Sequence, residues 1–105
     1  TMYANLIYKQ AMAAAENRWK EEKTMMYVIT DPGKPKRLIV INTKEFLDLR
    51  HRFKILSKQL PIYMIRNRCW YHTGNINHRD RLTPKDIDIR RLAFIRESLK
   101  RAKLL

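Results

Sequence analysis

Asp31-Pro32-Gly33-Lys34-Pro35-Lys36-Arg37-Leu38-Ile39-Val40-Ile41 is the stretch on which the fold turns. Asp31 to Pro35 reads as a turn or linker. Proline lacks a backbone donor and glycine relieves strain, so no regular element continues through it. Leu38 to Ile41 is short and rich in β-branched residues, the composition of a strand. A strand needs a partner, and no second strand is evident in the pattern around it. The segment therefore reads as one short strand docked on a neighbouring chain, or as an extended piece pinned by its apolar side chains.

Upstream, residues 3–28 predict a helix. Tyr8, Met12, Ala15, Trp19 and Met26 recur at helical spacing and make one apolar packing stripe. Glu16 stands four residues before Lys20, a favourable surface pair. Downstream, Asn42 has the side chain of a helix cap and Glu45 follows at the capping-box position. Phe46, Leu49, Phe53, Leu56 and Leu60 form the buried stripe of this second helix, and Pro61 ends it. Residues 61–82 carry no apolar period, and Gly74, Asn75, Asn77 and Asp80 favour turns. An irregular backbone of this kind belongs at a surface or is ordered by a partner. Thr83-Pro84-Lys85-Asp86 combines a capping hydroxyl, proline at the first helical position and an early acid. The third helix runs from there to about residue 103, with Leu92, Ile95, Leu99 and Ala102 on one face and Arg90, Glu97 and Arg101 opposite.

The expected architecture is mostly α and extended: three helices around an irregular basic loop, room for one short strand, and little independent core. Residues 1–60 form a helical arm with its Pro/Gly linker and second helix. Residues 61–105 form a basic loop followed by the last helix.

Charge separates these portions. The 105 residues carry 23 Lys and Arg against 10 Asp and Glu, a net charge of +13. Residues 1–49 hold 8 cations and 6 acids, whereas residues 50–105 hold 15 and 4. An excess this local points to a polyanionic partner. Ten of the 15 cations are arginine, which forks onto phosphate and stacks on bases as lysine does not, and that favours nucleic acid over a lipid surface. No apolar run approaches the roughly 18 residues of a membrane span. The N-terminal residues lack a charged start followed by an apolar stretch, so no secretory signal is expected. Cys69 is the single cysteine, which excludes an internal disulfide.

Pro61 to Gly74 carries the most chemistry. It interleaves Arg66 and Arg68 with Tyr63, Trp70 and Tyr71. Arginine neutralises phosphate and flat rings receive unstacked bases, so the combination suits RNA. The plainer alternative is that Trp70 and Tyr71 pack beneath the loop. Cys69 and His72 have Cys-x-x-His spacing, with His78 beyond, but a structural zinc site takes four ligands and no second pair follows. No metal or other cofactor is expected. His72 and His78 have no accompanying nucleophile, phosphate loop or carboxylate pair, so no catalytic residues are assigned and the chain is not read as an enzyme. Asp86 and Asp88 are simplest as acids at a helix N-terminus.

Arg66-Asn67-Arg68-Cys69, then Thr73-Gly74, then Ile87-Asp88-Ile89-Arg90-Arg91-Leu92-Ala93 resembles the bacterial-type S-fourteen family of small-subunit ribosomal proteins, in its zinc-free branch. One more residue separates Cys69 from Thr73 than in that family, and Asn75-Ile76-Asn77-His78-Arg79 replaces its Arg-rich, Gly-containing loop. The resemblance implies a structural constituent of the small ribosomal subunit, bound to rRNA in the subunit head near the decoding region. The cation–aromatic pattern and the resemblance together predict rRNA contacts from Arg66, Asn67, Arg68, Trp70, Tyr71, His72, Thr73, His78, Arg79, Arg81, Arg90 and Arg91, of which Arg66, Arg68 and Arg90 match the family's motif. The arginines would clamp phosphates, Trp70 and Tyr71 would stack or wedge, and residues 61–82 would order on assembly. Neighbouring head proteins would cover the stripe of the first helix and Leu38–Ile41. Such divergence points to an organellar ribosome, in first place mitochondrial. No membrane or small-molecule partner is expected. The rival readings are a free-standing RNA-binding or assembly factor, which should fold alone, and a basic subunit of another organellar complex.

Overall fold

The computed structural model describes residues 2–102. The first helix, α1 (Met2–Glu22), stops short of the expected residue 28. Lys23 follows it in the left-handed region, at φ 55°, with its amide still bonded to Trp19 O. After Thr24-Met25-Met26 comes Tyr27-Val28-Ile29-Thr30, all residues that suit a pleated surface, and Tyr27–Asp31 is strand β1. Asp31 then turns the chain: its carboxylate accepts the Gly33 amide at 2.8 Å, an Asx-type turn. The chain returns as β2 (Lys34–Ile41), antiparallel to β1.

This hairpin corrects the expected fold. Leu38 to Ile41 does not lack a partner. Thr30 pairs with Leu38, Ile29 with Ile39, Val28 with Val40 and Tyr27 with Ile41. The partner strand lay hidden because Met26 continues the helical stripe of α1 by spacing alone, while β1 itself is too short to display a convincing alternation.

Asn42 and Glu45 form the anticipated capping box, with reciprocal bonds of 2.8 and 2.9 Å. The helix they start is broken, however. Phe53 leaves helical geometry at φ −115°, ψ 89°, giving α2 (Thr43–Arg52) and α3 (Lys54–Gln59). Residues 61–82 are not uniformly irregular. After Pro61 come a 3-10 turn (Ile62–Met64), the one-turn helix α4 (Ile65–Arg68) and a two-residue strand β3 (Tyr71–His72). β3 pairs with β1, so the sheet order is β2-β1-β3 with β1 at its centre. Last comes α5 (Pro84–Arg101), capped by Thr83 Oγ1 on the Asp86 amide, with Pro84 in the first turn.

Side chains of a strand alternate between faces, and here both faces are covered. Val28, preceded by Met26, points to one core with Ala4, Tyr8, Ala15, Trp19, Tyr71 and Phe94. Tyr27 and Ile29 point to the other, with Ile41, Phe46, Leu49, Leu56, Ile65 and Cys69. The sheet is thus a middle layer, with α1 and α5 on one side and α2 to α4 on the other. Each core draws on residues from both sides of position 60. The Cα radius of gyration is 13.5 Å, close to the ~13 Å of a compact domain of this length. The extended, sheetless arrangement with little core is therefore replaced by a compact three-layer domain. The reason is non-local: two short strands far apart in sequence complete a sheet that neither could make alone.

Candidate nucleic-acid interface

The sequence run that looked most like an RNA surface divides at Cys69. Beyond it, backbone pairing with β1 draws the chain inward. Trp70 N–H bonds to Val28 O at 2.8 Å and Thr73 N–H to Met26 O at 3.1 Å. Trp70 is half-buried. Its indole donates to Thr30 Oγ1 at 2.9 Å and its ring meets Phe94 edge-on at 5.4 Å. Tyr71 is buried and donates its hydroxyl to Glu16 at 2.5 Å. Burial, then the neighbouring Glu16 carboxylate, holds that phenol well above the usual tyrosine range. Tyr8, whose hydroxyl donates to Trp70 O, is pushed up to about 12, chiefly by burial.

His72 and Thr73 are buried as well. His72 Nδ1 lies 2.8 Å from Thr73 O, so the ring carries its proton on that nitrogen. Burial lowers its pKa, with Arg90 and Arg66 adding to the effect and the Thr73 carbonyl opposing it. Thr73 Oγ1 accepts the Met26 amide at 2.9 Å and donates to Gly74 O, which satisfies a backbone donor in a place closed to water. These four residues, Trp70 to Thr73, build the sheet and its packing against α1.

Before Cys69, the side chains face outward. Arg66, Asn67 and Arg68 are all exposed on α4. Arg66 pairs with Asp80 at 3.3 Å and Arg68 reaches Gln59 O at 3.3 Å. Cys69 itself is buried, which pushes its thiol up to about 11. Among the described residues, no three His, Cys, Asp or Glu side chains gather as a metal cluster.

The loop after Gly74 is ordered by its own contacts. Asn75 Oδ1 accepts the amides of Asn77 and Arg79 at 2.9 and 3.0 Å, and its amide group reaches Asp80 at 3.1 Å. Asn75 O accepts the Trp19 indole at 3.0 Å. His78 and Asp80 sit at φ 61° and 62°, uncommon for residues with a Cβ. Gly74 lets the loop fold back: a Cβ there would stand 3.0 Å from Arg79 O. His78 stacks edge-on against Trp19 at 4.1 Å and accepts from Arg81 at 2.9 Å. Arg79 stays exposed.

The six arginines assigned to phosphate thus separate into two sets. Arg66, Arg68 and Arg79 point outward along one edge, made of α4 and the loop. Arg81, Arg90 and Arg91 hold the protein together. Arg81 pairs with Glu16 at 2.5 Å. Arg90 donates to Cys69 O at 2.8 Å and Arg66 O at 3.2 Å. Arg91 donates to Asn5 at 3.0 Å and pairs with Asp88 at 3.5 Å.

Sequence reasoning missed two residues here. Glu16 had seemed a surface partner of Lys20, yet it anchors both Tyr71 and Arg81, 55 and 65 residues away. No local signal could reveal that. Asn75 had seemed one turn former among several. Its hub role is the kind that asparagine fills, since its side chain mimics backbone in tight turns.

The fold and this edge together define a small three-layer α/β domain with an arginine-bearing, preformed surface. Compared with family models, with curated proteins and with solved structures, the chain gives no match. The likeness to the S-fourteen family therefore rests on its motif residues.

Proposed function

We propose that this protein is a structural, non-enzymatic RNA-binding constituent of the small ribosomal subunit, contacting rRNA in the subunit head near the decoding region. The observation that supports this reading best is Arg90. It belongs to the Ile-x-Ile-Arg-Arg-Leu-Ala run, and it donates to the carbonyls of Arg66 and Cys69 in the Arg-Asn-Arg-Cys run. The separated pieces of the motif thus meet in space, with Thr73-Gly74 beginning the loop beside them. Such an arrangement presents Arg66, Arg68 and Arg79 to phosphates from a braced backbone, and phosphate contacts are what position a protein on RNA. The partners in this reading are small-subunit rRNA and adjacent head proteins, and the location is the mitochondrion.

One observation favours a second reading. Both faces of the sheet are covered by the chain's own helices, as a free-standing RNA-binding or assembly factor would need. Sedimentation of a tagged copy through a sucrose gradient separates the two. A ribosomal protein co-migrates with the small subunit at high salt and is released by ribonuclease. A free factor stays at the top of the gradient, and that result would sink the ribosomal assignment.

A further inference from the structure

Trp70 and Tyr71 have their polar atoms bonded within the protein, so neither is the free ring that the RNA reading asks for. Another ring meets the requirement. Tyr63 is 78% exposed, in the 3-10 turn that leads into α4. Among the described residues nothing bonds to it. Arg66 lies three residues on, the spacing at which side chains of such helices lie one above the other. Arg66 pairs with Asp80, and Asn75 bonds to Asp80, so the loop and α4 form one continuous edge. That edge carries Arg66, Arg68 and Arg79, and large apolar side chains stand uncovered at its two margins: Ile62 beside Tyr63, and Ile76 at 68% exposure on the loop.

We propose that this edge takes an unpaired stretch of RNA, with Tyr63 as the platform on which one base stacks and the outward arginines on the flanking phosphates. The inference rests on the RNA-binding reading and narrows its ligand to single-stranded rather than duplex RNA. A duplex offers phosphates to Arg66, Arg68 and Arg79 but no base face to Tyr63. An unpaired base offers both. Charge complementarity argues for a polyanion, since among the described residues the only carboxylate placed on this edge by its contacts is Asp80, already shared between Arg66 and Asn75.

The test uses the full chain and a single-stranded RNA carrying 2-aminopurine, alongside the same RNA annealed to its complement. The single strand should bind more tightly than the duplex, and its 2-aminopurine emission should change on binding. Tyr63→Ala should weaken single-strand binding roughly five- to a hundredfold, the range one base–aromatic stack is worth, while Tyr63→Phe keeps it. Unchanged circular dichroism will establish that the exposed substitution leaves the fold intact. If Tyr63→Ala binds the single strand as tightly as the parent, or the duplex binds better, the stacking proposal is overturned and RNA binding itself stands. If the parent protein binds neither RNA, both fall.

Discussion

Arg66-Asn67-Arg68 and Trp70-Tyr71-His72-Thr73 are separated by one residue and have opposite fates. The first three side chains are exposed on α4. Of the second four, three are buried and the fourth packs on Phe94. Interleaved cations and aromatics therefore do not by themselves mark a surface. What divides them is a pair of backbone hydrogen bonds, from Trp70 N–H to Val28 O in β1 and from Thr73 N–H to Met26 O just before it, which turn the chain from helix to strand at Cys69. An aromatic that completes a sheet is used in packing, and the ring that stays exposed, Tyr63, is upstream of the cations.

Substitutions on the two sides should differ sharply. Tyr71→Ala removes a buried ring and its bond to Glu16. It should cost about 3–5 kcal/mol, the usual loss for a large buried aromatic, read as a lower midpoint in urea unfolding. An exposed Tyr71 would instead give almost no loss. Arg90→Ala should come next, at about 1.5–3 kcal/mol, because it deletes a charged donor serving two carbonyls. If Arg90 were mainly a phosphate clamp, stability would hold and only RNA affinity would fall.

His72 sharpens the same contrast through pH. Its pKa in the folded chain lies below the ordinary value of 6.5. Below about 6.5 the unfolded chain takes up a proton that the folded one resists, so stability is full above that pH and declines as pH falls toward the folded value. His72→Gln should flatten this decline in unfolding midpoints measured between pH 7 and 5. A slope unchanged by the substitution would mean that His72 is open to solvent.

The smallest effect on stability belongs to the outward side. Arg66→Gln with Arg68→Gln should shift stability by no more than about 0.5 kcal/mol each, since surface pairs contribute little. Their effect should appear in binding: each lost phosphate contact lowers the salt dependence of single-strand affinity by about 0.7 in log–log slope. Unchanged affinity and slope would remove Arg66 and Arg68 from the interface.

Much of this molecule follows from its sequence read locally. The basic second half, the turn at Asp31–Gly33, the box of Asn42 with Glu45 and the start at Thr83-Pro84 were all legible, because each depends on composition or on groups a few residues apart. The strand character of Leu38–Ile41 was legible too, but its partner was not. Only the tertiary structure decided that Tyr27–Asp31 leaves the helical stripe, that Tyr71–His72 joins it as a third strand, and that Glu16 and Arg90 serve as anchors rather than surface charges. The hairpin pairs residues up to 14 positions apart, and the anchors of Glu16 and Arg90 join residues 21 to 65 positions apart. No single segment contains the energy that favours them: burying both faces of a shared sheet stabilises strands that are too short to persist alone.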